Sequence, residues 1–312
     1  MIKFFNLFDG NFPKNLFYIV LNIIVMKRTA LKIGYIGTNF HGFQRQPDLR
    51  TVEEELIYHL RKLDYIDDLK ASRFRIAGRT DAGVHSLGNV ISFQSEKEVR
   101  VNEINNSLPD DIQILASAPV RYAFKPRYAQ MRQYRYMLFQ DLDIDKLKEV
   151  AEVFKGTHNF TNFTKRFQKT TTRTIDDIKV TKVNLDDYHK KEFPNLHDTL
   201  SPIFIDIYGE SFLWNMVRKM MRVFVDVANG KMDLDEVERL LNPSEDEPRA
   251  YIKVMEPDYL ILMDIRYDGI KFKYDDYACE RFRRNLADSL TDLQKKYAIR
   301  ESMIKSLNDM QL

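Results

Sequence analysis

A single cysteine, Cys279, stands among 312 residues. That excludes an intramolecular disulfide framework and fits a reducing compartment such as the cytosol. No His or Asn partner is placed for it, so it reads as structural. The six histidines show no metal-ligand spacing, and one cysteine cannot build a structural zinc site. P-loop and dinucleotide glycine patterns are both missing. No apolar run approaches the roughly 20 residues of a membrane span; residues 16–26 make up 11, interrupted by Asn22. No small-residue cleavage site follows them, which argues against a signal peptide. Residues 1–25 read either as an extra strand or as an overlong start, with Met26 the initiator. Net charge is also nearly absent, at +2, so no global basic field announces a nucleic-acid partner.

What is present has an order. The length allows two domains with sizeable cores. Apolar residues make up 44% and charged residues 30%, which places the chain among ordinary globular proteins. The charge is unevenly distributed. Residues 112–140 hold five cations (Arg121, Lys125, Arg127, Arg132, Arg135) and no acid. Residues 155–175 hold five more (Lys155, Lys165, Arg166, Lys169, Arg173) and again no acid. Aromatics are interleaved with them, among them Tyr122, Phe124, Tyr134 and Phe163. That mixture suits a phosphate backbone with unstacked bases. One such run would be a solvated face; two shift the balance toward an anionic polymer.

The periodicity predicts an α+β chain that repeats itself. Residues 29–36 alternate as a strand. Thr51 with Glu54 reads as a capping box, opening a helix that buries Val52, Leu56, Leu60 and Leu63. Strands over 73–77 and 89–93, a helix over 101–108 stopped by Pro109, and a strand over 112–116 complete a split βαβ unit. The second half repeats the order. It has strands over 130–139, 175–185, 203–208 and 259–267, and helices over 144–154, 212–227 and 234–241. The expected divisions are an extension (1–28), a first α+β domain (29–120), a second (121–268) and a helical tail (269–312). Two such halves side by side leave a cleft between them.

Between the strands at 73–77 and 89–93 lies Gly78-Arg79-Thr80-Asp81-Ala82-Gly83-Val84-His85. Glycine permits tight turns and close approach of another chain. A carboxylate beside a guanidinium stays ionised and oriented. The octapeptide alone reads equally as a turn whose Arg79 and Asp81 pair with each other, and as a site.

Further motifs follow in order. Residues 38–47 (TNFHGFQRQP) precede the octapeptide. Residues 132–136 (RQYRY), 156–163 (GTHNFTNF), 212–220 (FLWNMVRKM) and 256–260 (EPDYL) come after it. The series resembles the tRNA pseudouridine synthase family of the TruA type, over about residues 29–267, with wording closest to its archaeal branch. Phe43 stands where many members carry Trp. The resemblance implies two RRM-like (ferredoxin-like) halves whose mostly antiparallel sheets join around a positively charged cleft. It implies isomerisation of uridine in the anticodon arm of tRNA, at positions 38 to 40, by a cytoplasmic homodimer that needs no cofactor or metal. It implies that Asp81 is the catalytic carboxylate. It implies that Arg79 takes the place of the flipped nucleotide, that Tyr134 stacks on the uracil or helps to remove the C5 proton, and that Arg218 pairs with Asp81 across the halves. Lys125, Arg127, Arg132, Lys165, Arg166 and Arg173 are the expected tRNA-backbone contacts. A silent RNA-binding protein on the same fold, or a synthase acting on other RNAs, are the alternatives.

Overall fold

The computed structural model describes residues 27–165, 170–183, 202–244 and 248–309. The first half contributes β1 (Lys27–Tyr35), α1 (Val52–Lys62), β2 (Arg75–Ile76), β3 (His85–Ser95), α2 (Val101–Ser107) and β4 (Ile112–Pro119). The second contributes β5 (Met131–Leu138), α3 (Ile144–Phe154), β6 (Gly156–Asn159), β7 (Thr172–Lys182), β8 (Ile203–Gly209), α4 (Met216–Ala228), α5 (Leu234–Leu241) and β9 (Leu260–Arg266). β10 (Lys273–Tyr274) and the long α6 (Asp276–Asp309) close the described chain. No described helix is long and apolar enough to cross a membrane.

The helices start where side chains replace missing backbone partners. Thr51 accepts from the Glu54 N–H at 3.4 Å, and acids fill the first turn of α1 with bases in its last, complementing the helix dipole. Asp143 accepts from two N–H groups at the start of α3. Asp233 and Glu236 form a full capping box on α5.

The described strands form one sheet in the order β10-β4-β1-β3-β9-β5-β8-β7-β6, with β2 attached to β3. Both halves share a plan: β4-β1-β3-β2 in the first matches β9-β5-β8-β7 in the second. The fold is therefore α+β, two ferredoxin-like halves in one mostly antiparallel sheet. Alternation sends Leu31 and Ile33 to the core under α1 and α2, and Ala30 to a small core on the opposite face with Leu262 and Ile265. The second half builds its own core from α3, α4 and α5.

The halves join where β3 forks. Its far end pairs with β2 (Ser92 with Arg75), and its first residues pair in parallel with β9 (His85 with Ile261). The joint is close. A Cβ on Gly88 would lie 2.6 Å from Asp264 Cα, so only glycine fits. Lys32, 4% exposed, reaches across β3 to Asp264 at 2.5 Å. The octapeptide sits at this fork, where β2 peels away and the other half takes over the edge of β3.

Two sequence expectations change, and two strands were not anticipated. The helix expected from 212 begins only at Met216, because Asn215 adopts φ 63, a left-handed turn that asparagine tolerates. The strand expected over 89–93 is the 11-residue β3, whose first residues lack simple alternation. The two short strands β6 and β10 carry too little pattern to be anticipated. Residues 1–26, including the apolar run, lie outside the described residues. The tail is helical as patterned. Ala278 and Phe282 of α6 are buried against the first half, and burying a Phe contributes roughly 1.5–3 kcal/mol. Cys279 donates its thiol to the Leu115 carbonyl at 3.7 Å.

Candidate active site

The octapeptide loop is fixed from behind. The Phe43 N–H donates to Thr80 O at 3.1 Å, and Tyr35 Oη shares a hydrogen bond with Thr80 Oγ1 at 2.8 Å. The Asn89 amide donates both to Tyr35 Oη and to Gly78 O, each at 3.2 Å. His85 locks the exit. Its Nδ1 accepts from the Gly37 N–H at 3.1 Å, so its Nε2–H donates to Asp258 O, also 3.1 Å. That tautomer is neutral. Burial holds the imidazole below its ordinary pKa, against the opposing pull of the Asp258 carbonyl. Gly83 needs its φ of 85, and a Cβ there would lie 2.5 Å from Asp258 Oδ1.

So held, the loop presents Asp81 to the second half. Trp214 Nε1 donates to Asp81 Oδ1 at 2.8 Å. Arg218 donates to Asp81 Oδ2 at 2.9 Å. Arg218 is itself aimed: its Nε donates to the Met255 carbonyl at 2.7 Å and its NH1 leans on Asn215 Oδ1 at 3.4 Å. The left-handed turn at Asn215 is what swings Trp214 out of helical register and toward Asp81. Both carboxylate oxygens thus accept one N–H each, which leaves lone pairs facing the cleft.

Around this pair opens a cleft of 410 Å³. Its lining holds five arginines (Arg79, Arg127, Arg132, Arg173, Arg218) and one acid, Asp81. Arg79 is exposed and, among the described residues, makes no ion pair, so the reading in which it pairs with Asp81 is replaced by the Arg218 pair. Tyr134 lies in the wall, edge-on to Phe212 at 5.1 Å between ring centroids. Burial pushes its phenol up to about 12; Asp81 adds to the rise and Arg132 opposes it. The hydroxyl therefore stays protonated at neutral pH.

The expected backbone-contacting cations divide. Arg127 and Arg173 line the cleft. Lys125 is exposed, 5.8 Å over the Tyr128 ring, and stands outside the cleft lining. Lys165 is exposed and stands outside the cleft lining. Arg166 lies outside the described residues. Arg132 also borders the cleft, but it is 7% exposed and its guanidinium donates to the carbonyls of Glu210, Ala77 and Arg127. It straps three loops together as a structural tie. Sequence reasoning assigned no role to Trp214 or Asn215, although both stand in a quoted motif. The signal for Trp214 was its being the only tryptophan. No pattern pointed to the Met255 carbonyl.

A held carboxylate in a cationic cleft between two RRM-like halves suits chemistry on a polyanionic substrate. The family model described as tRNA pseudouridine synthase matches residues 150–268. A protein of Methanobrevibacter smithii named tRNA pseudouridine synthase A is 86% identical over 92% of this chain and 99% of its own length. Proteins of the same name from Methanothermobacter thermautotrophicus (42% identical, 92% and 98% covered) and Methanosphaera stadtmanae (40%, 90% and 96%) are similar throughout. The chain belongs to the tRNA pseudouridine synthase family.

Proposed function

We propose that this chain isomerises uridine to pseudouridine in the anticodon arm of tRNA, at positions 38 to 40, with Asp81 as the catalytic carboxylate. The observation that carries it is the Arg218–Asp81 contact of 2.9 Å between the halves, at the floor of a cleft lined by five arginines. The target uridine leaves the stack, at a cost of a few kcal/mol. Exposed Arg79 fills the space it vacates, since a planar guanidinium stacks on bases. Tyr134 packs against the uracil. Its protonated phenol makes stacking its role and leaves proton removal to another group. Asp81 acts at the sugar or the uracil ring as a nucleophile. The C1′–N1 bond breaks, the uracil turns while bound, and C1′ joins C5. The proton lost from C5 is balanced by one gained at N1. Arg218 and Trp214 keep the carboxylate aimed throughout. Arg127 and Arg173 hold phosphates.

The protein acts in the cytoplasm, as a homodimer. Supporting a second copy is an apolar seam along α6, where Leu286, Leu290, Leu293 and Tyr297 recur at three- and four-residue steps and, after an interruption at Arg300, Ile304 and Leu307 continue it. Leu293 is 59% and Ile304 61% exposed.

The deciding experiment compares wild type with Asp81→Asn on unmodified tRNA, mapping pseudouridine by position. The expected result is product in the anticodon arm from wild type alone, with tRNA affinity retained by the variant. Equal product from both would remove Asp81 from the chemistry. Product outside the anticodon arm would overturn the substrate assignment.

A further inference from the structure

A second cationic cluster lies at the end of β1 remote from the active site. Arg28 is 6% exposed. Its NH2 donates to Ser92 Oγ at 2.9 Å and to Arg73 O at 3.2 Å, while its buried Nε has no partner. Arg73 and Arg75 crowd it, and burial together with these like charges holds its pKa below the ordinary value. Among the described residues no acid forms an ion pair with Arg28, Arg73 or Arg75. Arg73 is held at φ 48, a conformation uncommon for a residue with a side chain, and lays its guanidinium over the Tyr122 ring at 3.9 Å. A hollow of 480 Å³ opens alongside, and its polar lining includes Lys27, Arg28, Gln94, Lys97, Glu98 and Tyr122; Lys97 is paired with Glu103 at 2.6 Å.

A buried charge without a partner is unfavourable unless an opposite charge arrives. An exposed Tyr with a guanidinium stacked on it offers a flat surface for a base beside that charge. We propose that the cluster of Arg28, Arg73, Arg75 and Tyr122 binds the phosphodiester backbone of the substrate RNA at a point remote from the reacting uridine. The inference rests on the RNA-modifying reading above. β1 measures the separation. Tyr35 touches Thr80, next to Asp81. Arg28 lies seven residues up the same strand, roughly 23 Å at strand rise. The segment carrying Arg73 and Arg75 runs through β2 straight into the octapeptide. Arg75 and Arg79 are thus four residues apart on one segment, with only Ile76, Ala77 and Gly78 between them. A molecule held at both places is longer than the reacting loop.

The test uses Arg73→Gln/Arg75→Gln and, separately, Tyr122→Ala, leaving buried Arg28 in place. KM, kcat and direct binding are measured with whole unmodified tRNA and with an isolated anticodon stem–loop. With whole tRNA the double variant should raise KM on the order of tenfold at unchanged kcat, and the log–log salt slope of binding should fall by about 2. Arg73→Lys/Arg75→Lys should restore the slope. On the stem–loop the effect should vanish. Wild-type KM and salt slope on whole tRNA would overturn the proposal, and so would an equal loss on both substrates. Weaker binding of inorganic phosphate with unchanged tRNA binding would mark a free-anion site and overturn it too. Direct binding is read independently of turnover, so failure of the Asp81 assignment is separately visible.

Discussion

Arg218→Met is the sharpest perturbation of the proposed site. The two chains are similar in length, so the helix face is kept, but the charge and every donor are lost. In the native protein Arg218 ties together three groups: Asp81 Oδ2 at 2.9 Å, the Met255 carbonyl at 2.7 Å and Asn215 Oδ1 at 3.4 Å. Asp81 would keep only Trp214. The side chains of Arg218 and Asp81 are 14% and 21% exposed, so water replaces the lost donor only in part. A hydrogen bond to a charged group contributes about 1.5–3 kcal/mol. If nearly all of that serves to aim the carboxylate in the transition state, kcat falls by roughly 10- to 150-fold. KM should stay within about threefold, because in the proposed arrangement Asp81 and Arg218 serve the reacting base and other arginines hold the phosphates. The assay is release of tritium from tRNA labelled at C5 of uridine, which C1′–C5 bond formation displaces. A variant with kcat within about twofold of wild type refutes the positioning argument. Unchanged kcat with a raised KM would instead make Arg218 an RNA ligand.

Three further outcomes are expected. Tyr134→Phe should leave the pH–rate profile unchanged between about pH 6 and 9, because a phenol pushed up to about 12 does not titrate there; Tyr134→Leu should lower activity by about 1–3 kcal/mol through lost stacking. His85 stabilises the fold as the neutral form. Its folded pKa lies below the unfolded value, so this stability is full above about pH 6.5 and declines as the pH falls below it. His59, also lowered by burial, has the same sign, and melting of His85→Gln should show a shallower acid decline than wild type without abolishing it. If the proposed homodimer pairs through α6, removing residues 285–312 should yield a monomer in sedimentation, and a retained dimer would exclude α6 as the interface.

The octapeptide, the acid-free basic stretches and the two-fold repeat of elements are local patterns, so they were legible along the chain. Helix starts were legible wherever a capping side chain lies next to the groups it satisfies, as at Thr51, Asp143 and Asp233. The Arg218–Asp81 contact could be expected only through the order of motifs; 137 residues separate the partners, and no periodicity spans that gap. What tertiary structure alone decided is how charge is used. Arg132 and Arg127 are the same residue type in one basic stretch. Arg132 is buried on carbonyls and Arg127 faces the cleft, because β5 turns one into the joint of the sheet and its preceding loop leaves the other outside. The fork of β3, which places the loop between the halves, depends on which strand claims each end of that edge. Trp214 reaches Asp81 because of one left-handed residue. Sequence sets which groups are available. Packing decides which of them remain free to meet a substrate, because hydrogen-bond partners arrive from elements far apart in the chain.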